Sequence, residues 1–221
     1  MRERSLESTQ RNTARMAGGF YLVLALAMFP QLLRNGLFVP HDAAATAKNI
    51  LAQADLFRLS VYGDLVFQVA FVFLVLTLYQ LLKDVGRMAA QAMLVLALVS
   101  VPIAMLSMGH ELTALTLFQE GNSTLAMTFV GQYLTGTQIA EIFWGLWLFP
   151  IGWLFFRSQF MPKSLGLALM VGCFGYLISI VGQVTPAIPV ILSNIAVGVS
   201  AAAEMATVLW LLVWGTKSPR A

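Results

Sequence analysis

A single cysteine, Cys173, occurs in the 221 residues, so the chain can form no internal disulfide and no all-cysteine metal site. Two histidines and the absence of any Cys-x-x-Cys pair leave little for zinc, haem or iron–sulfur ligation. The sequence also lacks a glycine-rich phosphate loop, a nucleophile elbow and a dinucleotide fingerprint, which argues against nucleotide-dependent chemistry. No cofactor is expected. Charge is scarce as well: 10% of residues are Asp, Glu, Lys or Arg, against about 25% in an ordinary globular domain. The net charge of +3 is small, and the basic residues sit at the edges of apolar runs rather than in a patch. Nucleic acid is therefore not an expected partner.

What the sequence has is apolar surface. Hydrophobic residues make up 59% of the chain, more than a soluble domain of this length can bury. Six runs at about 15–34, 57–82, 88–117, 125–156, 164–183 and 188–214 each supply the roughly 20 residues a bilayer core requires. Backbone groups in lipid must be bonded within their own segment, so all six are predicted to be helices. The fold class that follows is all-α, a polytopic membrane protein with a six-transmembrane-helix bundle. The domain limits are a disordered cytoplasmic tail at 1–13, a transmembrane domain at 14–215 and a second cytoplasmic tail at 216–221. The first run resembles a secretory signal, but it is near spanning length, so it is expected to be retained.

Charge placement orients the spans. Arg2, Arg4, Arg11, Arg15, Lys83, Arg87, Arg157, Lys163, Lys217 and Arg220 fall on one side, and Arg34, Lys48 and Arg58 on the other. Positive charge collects on the cytoplasmic face, which predicts both termini inside. Pro30, Pro102 and Pro150 lie within runs and predict kinks or local breaks. Spacings such as Gly198 to Ala202 suggest close helix–helix approach. Between the first two spans, Asp42 is a plausible N-cap for a short amphipathic external helix, with Ala43, Ala47, Ile50, Leu51 and Ala54 on one face. It reads as a connector resting at the headgroups, or as a lid.

The chain carries Pro40-His-Asp-Ala-Ala-Ala-Thr-Ala-Lys-Asn-Ile50, Leu56-Phe-Arg-Leu-Ser-Val-Tyr-Gly-Asp-Leu65, Leu78-Tyr-Gln-Leu-Leu82, and Glu141 ahead of Gly145-Leu-Trp-Leu-Phe-Pro150 and Arg157-Ser158. In these stretches, across about 14 to 214, it resembles a bacterial family of multi-pass membrane proteins catalogued only as a domain of unknown function. The resemblance implies the six-helix fold, a bacterial cytoplasmic (inner) membrane, and acids at 64, 141 and 204 as family features. It implies no activity, substrate or cofactor.

Three acids stand inside the apolar runs, where a carboxylate costs on the order of 2.5–3.5 kcal/mol even on lenient insertion scales. Asp64, Glu141 and Glu204 lie 19, 16 and 13 residues from Lys83, Arg157 and Lys217. At about 1.5 Å per residue they form a descending series in the outer half of the bilayer. Gln68 and Gln138 sit one turn from Asp64 and Glu141 and share their faces. Three roles are open to these groups: bonding helices together, binding or moving a small cationic or amphiphilic ligand, or acting as acid and base on a lipid-like substrate. The binding or transport reading leads, through Asp64, Gln68, Gln138, Glu141 and Glu204. A membrane-embedded enzyme and a non-catalytic accessory protein are the alternatives, and membrane lipids are partners in each. His110 and Glu111 are weak metal candidates, because Ala114 stands where the second histidine of His-Glu-x-x-His would be. They are read as a solvated pair near the outer interface. Trp144 and Trp147 either pack against neighbouring helices or wall a pocket.

Overall fold

The computed structural model describes residues 2–185 and 188–216, in nine helices and no strands among those residues. They are α1 (Arg2–Ala27), α2 (Phe29–Asn35), α3 (Ala43–Ala52), α4 (Ala54–Leu82), α5 (Arg87–Gln119), α6 (Ser123–Leu146), α7 (Leu148–Arg157), α8 (Lys163–Val184) and α9 (Val190–Val213). Six stretches are long and apolar enough to cross a membrane: Ser8–Asn35, Ala54–Leu82, Arg87–Gln119, Ser123–Arg157, Lys163–Gln183 and Val190–Val213. Large apolar side chains such as Leu26, Leu106 and Ile191 stand exposed along them, as lipid-facing residues do. The chain is an all-α, multi-pass membrane protein.

Proline explains why two spans are each built from two helices. Pro30 and Pro150 have no N–H to offer the carbonyls of Leu26 and Leu146, four residues back. The helix breaks just after those positions, between α1 and α2 and between α6 and α7. Pro102, by contrast, stays within a continuous α5. Residues 2–13, expected above as a disordered tail, instead continue α1 outward. No glycine or proline interrupts positions 2–17, and Arg, Glu, Leu, Gln and Ala favour helix there. The tail expected at 216–221, with Lys217 and Arg220, lies beyond the described residues except for Thr216.

The chain divides into two compact units, and α1, α4, α5 and α6 contribute residues to both. Unit 1 comprises residues up to 22, 72–100 and from 141 onward. Its α7, α8 and α9 meet at small residues. A side chain at Gly152 would run into the Gly166 carbonyl at 2.6 Å, and one at Gly175 would strike the Ala196 backbone. Ser200 donates from Oγ to the Gly172 carbonyl at 2.7 Å. The contact face of α9 is thus Ala196 and Ser200. Gly198 has nothing nearby and Ala202 is exposed, so the expected Gly198–Ala202 approach is replaced by a neighbouring face of the same helix.

Unit 2 comprises residues 23–71 and 101–140. Asp42 caps α3 by accepting from the Ala45 N–H at 2.8 Å, as expected. Ala47 and Ile50 of α3 join Leu37, Phe57, Val61, Leu115, Phe118 and Val130 in one core cluster, so α3 is packed onto α4, α5 and α6 rather than merely resting beside them. Thr46 is buried where Leu51 was expected, because its Oγ bonds the Val39 backbone while Leu51 stays exposed. Gly121, with φ of +80°, ends α5, and Asn122 accepts from the Leu125 N–H to start α6.

Gly63 on α4 faces the carbonyl of Ala27, and a Cβ at Gly63 would lie 2.6 Å from that oxygen. Gly63→Ala is expected to lower stability by about 1–3 kcal/mol through overpacking. Gly109→Ala, where nothing lies within 4 Å, is expected to raise it slightly. Thermal unfolding in mild detergent compares the two; equal melting of both variants would refute the tight α4 contact.

Candidate functional site

The polar residues of unit 2 converge on Arg34. The sequence places Arg34 among the external basic residues, but it is fully buried in the last turn of α2, where the negative end of the helix dipole favours a cation. Its Nη1 lies 3.0 Å from Oδ2 of Asp64, 3.2 Å from Oγ of Ser60 and 2.7 Å from Oε1 of Glu111. Its Nη2 donates to the Tyr133 hydroxyl at 2.6 Å, and that hydroxyl also accepts from Gln31. The guanidinium lies over the rings of Tyr133 and Phe57, 5.2 and 6.0 Å from their centroids. Helical spacing assembles this group: Phe57, Ser60, Asp64 and Gln68 recur on one face of α4. Glu111 comes from α5 and Tyr133 from α6.

One nitrogen with two hydrogens faces three acceptors here. Ser60 and Asp64 take the hydrogen bonds, and Glu111 is held at ion-pair distance without bonding geometry. Both Glu111 oxygens, Nε of Arg34 and Oε1 of Gln68 are buried without a hydrogen-bond partner. The solvated His110–Glu111 pair expected above is therefore corrected. Glu111 is buried because Arg34 is, and a buried guanidinium draws in carboxylates. His110 is half-buried against Phe129, and among the described residues no three His, Cys, Asp or Glu side chains converge as metal ligands would.

Unit 1 holds the other two acids, from α6 and α9. Glu141 accepts a long hydrogen bond, 3.4 Å, from Nε2 of Gln183, which also donates to Ser179 at 3.2 Å. Glu204 accepts from the Tyr176 hydroxyl at 3.1 Å, and the Tyr21 hydroxyl faces the same carboxyl. Tyr176, on α8, thus bonds Glu204 and interacts with the charge of Glu141 without a hydrogen bond to it. Gly145 lets α6 close onto that residue, since a Cβ there would lie 2.7 Å from Cβ of Tyr176. Trp147 is buried and in ring contact with Tyr21 at 6.3 Å, while Trp144 donates to Ser100 at 3.0 Å.

The five expected binding residues thus separate. Glu141 and Glu204 both belong to unit 1, bonded by Gln183 and Tyr176 respectively. Asp64 does not join them as a free carboxylate, because Arg34 neutralises it in unit 2. Gln68 is buried below Asp64, whereas Gln138 is half-buried and the amide that reaches Glu141 is Gln183. Sequence reasoning missed Arg34, Tyr133, Tyr176, Gln183 and Tyr21. Two clefts of about 300 and 810 Å³, lined by Tyr79–Arg87 and Phe156–Ser164 residues, lie among basic side chains and away from both acids of unit 1.

Removing Arg34 leaves two buried carboxyls without a counter-charge, which is expected to cost about 3–5 kcal/mol. Arg34→Met should therefore melt well below the parent in detergent, and Arg34→Met with Asp64→Asn and Glu111→Gln should recover much of the loss. A triple variant no more stable than the single one would contradict a charge-based role for the cluster.

No curated protein and no solved structure matches this chain. A family model described as a domain of unknown function, DUF4386, matches residues 16–215. With nearly the whole length covered, helices α2 to α9 and the C-terminal part of α1 included, the chain belongs to the DUF4386 family.

Proposed function

We propose that this protein binds, and moves across the cytoplasmic membrane of a bacterium, a small lipophilic cation, through Glu141 and Glu204. One observation carries the proposal. Two carboxyls on separate helices lie inside apolar segments, Glu204 bonded by the Tyr176 hydroxyl and Glu141 by the Gln183 amide, and among the described residues neither forms an ion pair with a Lys or Arg. Acids placed this way in a membrane protein attract positive charge, unlike Asp64, whose counter-ion is already in place.

The surroundings of Glu204 narrow the ligand class. Tyr21 and Tyr176 present hydroxyls to the carboxyl, and the Tyr21 ring meets that of Trp147. Aromatic faces beside a carboxylate suit an organic cation with apolar substituents, each face contributing about 0.5–2 kcal/mol of cation–π attraction. A strongly hydrated inorganic ion gains little from such walls. Gln183, bridging Glu141 and Ser179, provides a polar contact that can be exchanged when a ligand arrives. The excess of basic residues on one set of loops favours cytoplasmic termini.

Tetraphenylphosphonium is a suitable probe, since its charge is shielded by aromatic rings. Its binding to the purified protein by isothermal titration should weaken about tenfold or more in Glu204→Gln, equivalent to about 1.4 kcal/mol, and less in Glu141→Gln. Both variants should keep the parent's melting temperature in detergent. Unaltered affinity in the double variant would exclude the pair as the binding site.

A further inference from the structure

We propose that the buried Arg34–Asp64–Glu111 cluster is a proton-binding site, in which two carboxyls share one exchangeable proton. The site is distinct in composition from the Glu141–Tyr176–Glu204 group, and the inference does not depend on the cation reading. It rests on charge count and on unpartnered atoms. One guanidinium faces two carboxyls, all within a group whose side chains are buried: Arg34 and Glu111 completely, Asp64 nearly so. One positive charge is wanting in a group closed off from the protein surface.

Around Glu111, α2 brings Arg34, α4 brings Asp64 and α6 brings the Tyr133 hydroxyl, which lies within electrostatic reach. On α5 itself the preceding residue is His110, whose Nδ1 is buried without a partner. Arg34 is the only permanently cationic side chain in the group. Its Nη1 hydrogens are committed to Ser60 and Asp64, so they cannot also saturate Glu111. The atoms left over are chiefly acceptors: both Glu111 oxygens and Oε1 of Gln68.

Unused acceptors plus a missing positive charge call for a small cation. A metal ion would need several converging ligands, and no group of three acidic, histidine or cysteine side chains provides them among the described residues. A proton needs neither a coordination shell nor a cavity. Placed on a carboxyl oxygen, it converts an unpaired acceptor into a donor and balances the cluster in one step. Carboxyls buried in spans in this way are the groups from which proton relays are built.

Infrared difference spectra of the full-length protein in lipid, recorded between mildly acidic and mildly alkaline buffer, read the proton directly. The parent should show a protonated-carboxyl C=O stretch that shifts in D₂O and disappears as a single proton is released. Glu111→Gln and Asp64→Asn should each abolish or displace that band, and Glu141→Gln with Glu204→Gln should leave it in place. Should Glu111→Gln fail to fold, Asp64→Asn alone decides, because it leaves one guanidinium facing one carboxyl. A parent with no titrating carboxyl band overturns the proposal. So does a band that survives Asp64→Asn unchanged, or one that is lost only in the Glu141/Glu204 double variant.

Discussion

A guanidinium buried inside apolar helices sets the terms for unit 2. Arg34 cannot be left alone at that depth, since removing a charge from water is expensive unless counter-charges and acceptors surround it. Four helices answer this demand. α2 positions the arginine at its C-terminal turn, α4 supplies Ser60 and Asp64, α5 supplies Glu111 and α6 supplies Tyr133. Because one side chain bonds elements far apart in sequence, it restricts how those helices can rotate about their axes. The apolar cluster built on Phe57, Ile50 and Phe118 then closes over the same helix ends, with the capped α3 packed into it. A hydrophobic contact between helices in lipid tolerates many rotations; a fork of hydrogen bonds to one arginine tolerates few.

Backbone interruptions serve the same packing. Pro30 and Pro150 divide their spans, and each break lets neighbouring helices approach. Gly63 sits against the carbonyl of Ala27, and Gly152 and Gly166 bring α7 and α8 to backbone contact. The presence of these prolines and glycines is evident in the sequence, but their partners are not. Pro102 has the same chemistry and leaves α5 unbroken, so a proline marks a place where a helix can yield without deciding that it does.

Legibility differs among the site residues for a physical reason. Glu141 and Glu204 stand out because a carboxylate in hydrocarbon is costly wherever it points. Tyr176 and Gln183, which complete their surroundings, are ordinary residues for a span and carry no such signal. Arg34 did leave one. Counted from Arg15 it stands 19 residues along its span, and Asp64 stands 19 residues from Lys83, so the two opposite charges share a similar height. Reading Arg34 as part of the external charge set hid that match, and with it the reason for burying Glu111.

By itself the sequence determined what depends on local composition: membrane residence, six spans, the Asp42 cap, and the positions where proline weakens a helix. These follow from hydropathy, chain length and single-residue backbone chemistry, none of which needs a partner. Tertiary structure alone decided which face of each helix meets another. It selected Ala196 and Ser200 over Gly198, paired Asp64 with Arg34 rather than with the other acids, and gave Glu204 the Tyr176 hydroxyl and Glu141 the Gln183 amide. In a soluble protein, polarity marks the outward face. In lipid both faces are apolar, so hydropathy cannot tell a helix-facing residue from a lipid-facing one, and the choice emerges only when shapes and buried charges are fitted together.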